Sequence, residues 1–369
     1  MAQPVVRITR QAYARTSEGA PQLPALTGLR FLAALGVLGA HFGRWLALPT
    51  PLHALIARGS VGVSLFFVLS GFILAHTYRA PNGMLRGTTR AFYVARFARI
   101  YPLYLCGLIL ALVTVDPWAP QPFLPMADVL AINLGLMQSW MPPLQAVING
   151  PGWSLSTEAF FYLLFPLLLP VCVRLSSRRR LVLSLFAWAT ALTCQIGAQQ
   201  FGFADAGAIP LGRLPEFLCG MLVGCQWSDR RELTWGNRHC DTIAILRLVS
   251  VVALLIYTPP AWTAVLVNGV FAPAWAMLIY ALAHGRGWIA SFLSLPALIL
   301  LGEASYALYI LHFPLWDGWR TCLGVSVPVA LQNPVYETIY LSLAVAVSIL
   351  AYQFIERPAR RALRQLFPA

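Results

Sequence analysis

Arg30 and His41 stand eleven positions apart in the first apolar stretch of the chain. Eleven helical steps of about 100° return to the same face, roughly 16 Å further along. The two side chains therefore line one stripe and mark a polar path through an otherwise apolar helix. An imidazole titrates near neutrality and can take a proton from a hydroxyl during attack on a carbonyl, so His41 is a candidate general base. Each residue alone also has a plain structural reading, with Arg30 snorkelling to one membrane face and His41 lying at the other.

A second pair sits in Phe92-Tyr93-Val94-Ala95-Arg96-Phe97-Ala98-Arg99-Ile100-Tyr101-Pro102. Arg96 and Arg99, at i and i+3, share a helical face, and paired guanidiniums with flanking aromatics suit a phosphorylated, ring-bearing ligand. Anchoring to lipid headgroups is the competing explanation. A third feature is Asn149-Gly150-Pro151-Gly152-Trp153-Ser154-Leu155-Ser156-Thr157-Glu158, where Gly and Pro make a tight turn, Trp153 marks an interface and Glu158 enters an apolar helix one turn before Tyr162. A carboxylate there needs a partner such as His or Arg, which is how a catalytic acid or base is often prepared.

Further on, Arg213 and Glu216 are three apart and read as a structural ion pair. In Leu301-Gly302-Glu303-Ala304-Ser305-Tyr306-Ala307-Leu308-Tyr309-Ile310-Leu311-His312, Ser305, Tyr309 and His312 follow i, i+4, i+7 spacing and form a second polar stripe. Hydrogen bonding between helices explains such a stripe equally well. His53, His76, His239 and His284 show no metal-ligand spacing, and no Gly-rich phosphate loop, GxSxG elbow or paired-Cys zinc pattern is present. No metal is expected.

The elements that must hold these residues are membrane helices. Of 369 residues 59% are hydrophobic and 11% charged, and the mean hydropathy is +0.69, which excludes a soluble two-domain protein of this length. The composition predicts an all-α, polytopic bundle of about ten spans: 24 to 43, 60 to 78, 100 to 115, 153 to 173, 181 to 198, 211 to 227, 243 to 258, 262 to 283, 292 to 314 and 335 to 355. Met126 to Trp140 is too short and too polar to cross, with Asp128 and Asn133 inside it, and suits an interfacial or re-entrant helix. The net charge of +13 comes from 26 arginines and no lysine. On a soluble protein it would suggest nucleic acid; on this one it reads as cytoplasmic charge and contact with anionic lipid.

With 126 to 140 left out of the crossings and both termini cytoplasmic, 20 arginines fall inside, and only Arg44, Arg58 and Arg320 fall outside. Counting it as a span would place Arg178, Arg179 and Arg180 outside, against the positive-inside bias. Residues 1 to 22, with Arg7, Arg10 and Arg15 and no apolar core, read as a cytoplasmic tail rather than a signal peptide. Residues 23 to 358 form the membrane domain and 359 to 369 a basic cytoplasmic tail. The seven cysteines, with no CxxC, read as packing residues.

In order along the chain these motifs resemble the membrane-bound acyltransferase 3 family, bacterial enzymes that O-acylate exopolysaccharides, lipopolysaccharides and some secondary metabolites. The likeness runs through Leu29-Arg30-Phe31-Leu32-Ala33-Ala34 with His41, Gly62-Val63-Ser64-Leu65-Phe66-Phe67-Val68-Leu69-Ser70-Gly71-Phe72, Arg96 to Pro102, Trp153 to Glu158, Ser305-Tyr306 with His312, and Glu356-Arg357-Pro358. The resemblance implies a ten-helix bundle in the bacterial cytoplasmic membrane, an acyl-CoA co-substrate, most commonly acetyl-CoA, and an acceptor on the far side. That acceptor would be a glycan or a lipid-linked saccharide, with membrane lipids as the other partner and no nucleic acid. It places the donor site on Arg96, Arg99 and Tyr101, and the catalytic group on His41, Arg30 and Glu158. The chain ends soon after Pro358, so acceptor handling is expected from the bundle or from a partner.

On this reading Glu158 orients or charge-balances the His41 imidazole, a transient acyl-His is a variant, and Ser305 and Tyr309 donate hydrogen bonds to the thioester oxyanion. Trp153, Ser156, Tyr306 and His312 are further substrate-side candidates. A transporter and a scaffold of a polysaccharide-export complex are the rival classes. Against the first stands the lack of an inverted repeat, and against the second the cost of intramembrane His and Glu.

Overall fold

The computed structural model describes residues 21–43, 48–114, 124–201, 209–230, 237–324 and 334–367. Arg7, Arg10, Arg15, Arg44 and the 119–122 loop lie outside them. Among the described residues the chain is helical, with no β-strand. In order come α1 (Pro24–Phe42), α2 (Thr50–Ala57), α3 (Val61–Tyr78), α4 (Thr89–Thr114), α5 (Met126–Leu134), α6 (Gly152–Arg174), α7 (Ser177–Gln200) and α8 (Pro210–Arg230). Then follow α9 (Asn237–Tyr257), α10 (Pro260–Val270), α11 (Ala272–Ala283), α12 (Trp288–Leu293), α13 (Pro296–Leu323), α14 (Pro334–Ala351) and α15 (Arg357–Leu366).

Every expected span falls on a helix. Among the described residues eight helices are long and apolar enough to cross a bilayer, and α10 with α11, bent by 48° at a short break, add a ninth if the bent pair is one span. The bend has a local cause: Gly269 has φ +106, which a side chain would resist, and Asn268 is also outside helical geometry. The remaining expected span, α8, is of spanning length but carries Arg213, Glu216, Asp229 and Arg230, and is not among the eight. It is an interior helix nonetheless, with Phe217, Met221 and Cys225 fully buried. Its approach to α3 is backbone-close: a Cβ on Gly71 would lie 2.1 Å from the Phe217 carbonyl oxygen, and one on Gly220 1.9 Å from that of Val68. Small residues at such a crossing replace the hydrophobic drive that lipid removes.

Position in the bundle follows from exposure. The most apolar 18-residue stretch of α3 is 83% buried and that of α7 11%, so α3 is the central strut and α7 presents Leu181, Val182 and Phe186 to lipid. The 126–140 segment does not form a spanning helix. Helix α5 has nine residues, too short to span, and its end meets α4 about halfway along: Tyr101 donates to the Leu134 carbonyl at 3.0 Å and Tyr104 to that of Asn133 at 2.8 Å. Gln138 and Ser139 then bond the start of α6, Gln138 Nε2 to the Gly152 carbonyl and Ser139 Oγ to that of Trp153. These groups of α5 and the turns after it are satisfied by protein.

Candidate active site

The start of α1, the first half of α4 and helix α15 gather at one end of the bundle, which we call the arginine-rich end. Arg30, Arg96 and Arg99 line both a cavity of about 150 Å³ in the bundle and a second of about 270 Å³ at its mouth. The inner cavity is walled by apolar residues of α3, among them Phe66, Phe67, Leu69 and Ile73, with Ser70, Ser154, Glu158, Tyr162, Tyr306 and Tyr309 supplying polar groups. Arg96 donates to the Tyr78 hydroxyl at 2.8 Å, and its guanidinium lies 5.0 Å from the Tyr78 ring centre and 5.8 Å from that of Tyr162. Arg99 forms an ion pair with Glu356, itself 1% exposed. The arginine pair and the α6 carboxylate thus meet at one cavity.

Glu158 is not the companion of His41. Its Oε1 accepts hydrogen bonds from Ser70 Oγ at 3.0 Å and Tyr162 at 2.6 Å, and its charge faces Arg30 and Arg99. This corrects the expectation that it orients the imidazole: one helical turn into α6, Glu158 opens toward α3 and the arginines, where opposite charges lower the cost of burying a carboxylate.

His41 instead meets His312. Its Nδ1 lies 3.1 Å from His312 Nε2, the rings stack at 5.1 Å, and His312 Nδ1 lies 2.7 Å from the Tyr309 carbonyl oxygen. A carbonyl only accepts, so His312 Nδ1 carries a hydrogen. In the neutral ring Nε2 is then an acceptor, and the hydrogen between the rings belongs to His41 Nδ1. In neutral His41 the acceptor nitrogen is then Nε2, the tautomer a general base needs. Phe42, Phe313, Trp316 and Tyr340 pack around the pair, and the Tyr340 hydroxyl donates to the His312 carbonyl. Neither histidine lines these two cavities; the pair lies one turn of α13 beyond Tyr309, which lines the inner one.

Four other expected residues are held elsewhere. Tyr101 is bound to α5 and stacks on Phe97, away from the arginine pair it was grouped with. Ser156 donates to the Leu136 carbonyl and Ser305 Oγ to that of Gly302 on its own helix, so both serve packing. Trp153 lies against Phe67 and the Arg213 guanidinium. Tyr306 faces the inner cavity, but its hydroxyl is committed to the Ile100 carbonyl. Tyr309 remains the hydroxyl of α13 facing the cavity, beside Ser154. Arg213 pairs with Glu216 at 2.9 Å, as expected, and also donates to Asn268 at the α10 break.

Sequence reasoning missed Glu356 as a partner for Arg99, although the acid stands out in a basic tail. It also missed Arg58, which hydrogen-bonds the Leu255 and Thr258 carbonyls at the end of α9. No group of three or more His, Cys, Asp or Glu suited to a metal occurs among the described residues.

The fold and site are those of a membrane bundle with a cationic mouth, an inner cavity with one apolar wall and an imidazole pair beyond it. Comparison with known proteins makes that specific: residues 23–353 match the model of the acyltransferase domain family, and the chain belongs to it. It is an enzyme that transfers acyl groups. It is 33% identical to acyltransferase MdmB of Streptomyces mycarofaciens, with 94% of each chain covered. It is also similar to O-acetyltransferase OatA of Staphylococcus aureus, 26% identical over 92% of this chain, which spans 57% of that longer relative. No solved structure matches.

Proposed function

We propose that the arginine-rich end faces the cytoplasm and receives acyl-CoA, most commonly acetyl-CoA, and that the acyl group passes to a hydroxyl of an extracytoplasmic glycan admitted from the opposite side. The observation that carries this is the hydrogen-bonded chain from His41 through His312 to the Tyr309 carbonyl, one helical turn beyond a cavity that opens among arginines. Acyl-CoA is a polyanion with a long neutral arm, which matches a cationic mouth followed by a cavity with an apolar α3 wall. The acetyl group and oxygen acceptor take support from the name of the Staphylococcus relative.

The chemistry balances without an added group. The acceptor oxygen attacks the thioester carbonyl while His41 Nε2 takes its proton. The tetrahedral intermediate then expels the CoA thiolate, which takes the proton from the imidazolium. His312 holds His41 in the required tautomer and orientation, as a carboxylate does in a hydrolytic triad. Tyr309, which lines the cavity, donates toward the oxyanion, and Arg30, Arg96 and Arg99 hold the donor's phosphates. Glu158 offsets their charge when the cavity is empty.

Purified protein in lipid nanodiscs, given radiolabelled acetyl-CoA and the polysaccharide fraction of its membrane, should release CoA thiol and leave label in the glycan. Label in a small hydroxylated molecule would keep the reaction and change the acceptor. Binding without thiol release would favour a transporter or scaffold.

A further inference from the structure

The donor site as drawn so far uses arginines of α1 and α4, yet the mouth cavity has a fourth. Arg360 of α15 lines it beside Arg30, Arg96 and Arg99. A π-helical turn, Tyr352–Glu356, joins α14 to α15 and turns Glu356 inward, where it pairs with Arg99 and lies 3.5 Å from Arg360. Insertions of this kind recur at functional sites. Arg360 also feels the like charges of Arg99, Arg364 and Arg96. Among the residues lining this cavity four guanidiniums face one carboxylate, Glu303, which is taken by the Tyr352 hydroxyl. Such a concentration of cations is stable only with anions close by, and Glu356 and Glu158 together bring two charges to four guanidiniums.

The two cavities set an order. Arg30, Arg96 and Arg99 line both, whereas Arg360 lines the mouth alone, and its side chain is 30% exposed against 15% for Arg99. CoA has an order of its own: the thioester ends the pantetheine arm, the pyrophosphate follows, and the 3′-phosphate on the ribose is furthest out. With the thioester directed inward to His41, the phosphates at the Arg96 and Arg99 level are those of the pyrophosphate. We infer that Arg360 binds the 3′-phosphate, so that the enzyme distinguishes CoA from dephospho-CoA. This rests on the acyl-CoA reading above. The same guanidinium chemistry would serve a lipid headgroup, for which the exposed Arg357 and Arg361 on α15 are the better placed.

The test uses the full chain in zwitterionic nanodiscs and titrates CoA and dephospho-CoA by calorimetry into wild type, Arg360→Gln and Arg361→Gln. Wild type should prefer CoA by about tenfold, the value of one charge-assisted contact. Arg360→Gln should bind both nucleotides alike, at the wild-type affinity for dephospho-CoA, and Arg361→Gln should keep the preference. An intact preference in Arg360→Gln overturns the inference and returns Arg360 to lipid, and so does wild type binding both alike. Equal loss for both nucleotides overturns it too, pointing to the pyrophosphate or the fold. Wild type binding neither nucleotide would instead sink the acyl-CoA reading itself.

Discussion

At the arginine-rich end, charged side chains from α1, α4, α6 and α15 face open cavities, and their partners are other side chains that a ligand can replace: Glu356 for Arg99, Tyr78 for Arg96. At the histidine pair the reverse holds. His312 is 1% exposed, and both of its ring nitrogens are held, one by a backbone carbonyl and one by His41. Exchangeable contacts suit binding, in which each charge adds a graded increment. A fixed chain suits catalysis, where one misplaced group stops the reaction. Variants at the two ends should therefore fail in different ways.

The largest of these effects falls on His312. His312→Ala removes the acceptor for His41 Nδ1–H and should lower turnover on the order of 10² to 10⁴, with donor affinity unchanged. His312→Gln, whose amide oxygen can accept the same hydrogen, should recover part of the rate. Steady-state kinetics with the donor varied checks both, and a change confined to KM would assign His312 to binding.

The arginine pair comes next, and its members should differ. Arg96→Ala should weaken CoA binding about tenfold or more, and lysine should rescue only partly. Arg99→Ala should do the same and in addition lower thermal stability, because it removes the closer of the two arginines paired with buried Glu356 and leaves Arg360 at 3.5 Å, a loss of up to about 3 kcal/mol. Equal melting temperatures for the two variants would mean that Glu356 is not held by Arg99.

Smaller again are Tyr101→Phe and Ser305→Ala. Each loses one hydrogen bond to a carbonyl, about 1 kcal/mol of stability, and should leave donor affinity and turnover at wild-type values. A drop in CoA affinity for Tyr101→Phe would restore that residue to the donor site.

The smallest effect tests a contact outside both regions. Beyond the apolar part of α8, partial burial would raise the Asp229 carboxyl, but hydrogen bonds from Arg180 and Arg79 hold it below its ordinary value of 3.8. A lowered carboxylate contributes stability above its unfolded pKa and loses it as pH falls through the folded one. Wild type should therefore melt above Asp229→Asn at neutral pH, and the gap should close below about pH 4. A gap that is constant with pH would show that the charge is immaterial.

Much of the fold was legible because membrane helices announce themselves in one dimension. The Arg30 and His41 stripe needed only the helical period, and the 126–140 segment was marked as no crossing by its length and by Asp128 and Asn133. The pairings were not legible, since Glu158 finds Ser70 across 88 positions, and His41 finds His312 across 271. Spacing could have excluded Tyr101: two residues past Arg99 is a turn of about 200°, onto the opposite face of α4. Ser305 kept its place on the polar stripe but spent its hydroxyl on its own helix, as serines in apolar helices do.

The proposed role of His41 as the base that takes the acceptor's proton is tested most directly by His41→Gln in nanodiscs, with acetyl-CoA affinity measured by calorimetry and CoA thiol release measured in the same preparation. Affinity within twofold of wild type and thiol release lower by about 10² to 10⁴ is the expected result. Thiol release at the wild-type rate, with the donor still bound, would contradict it.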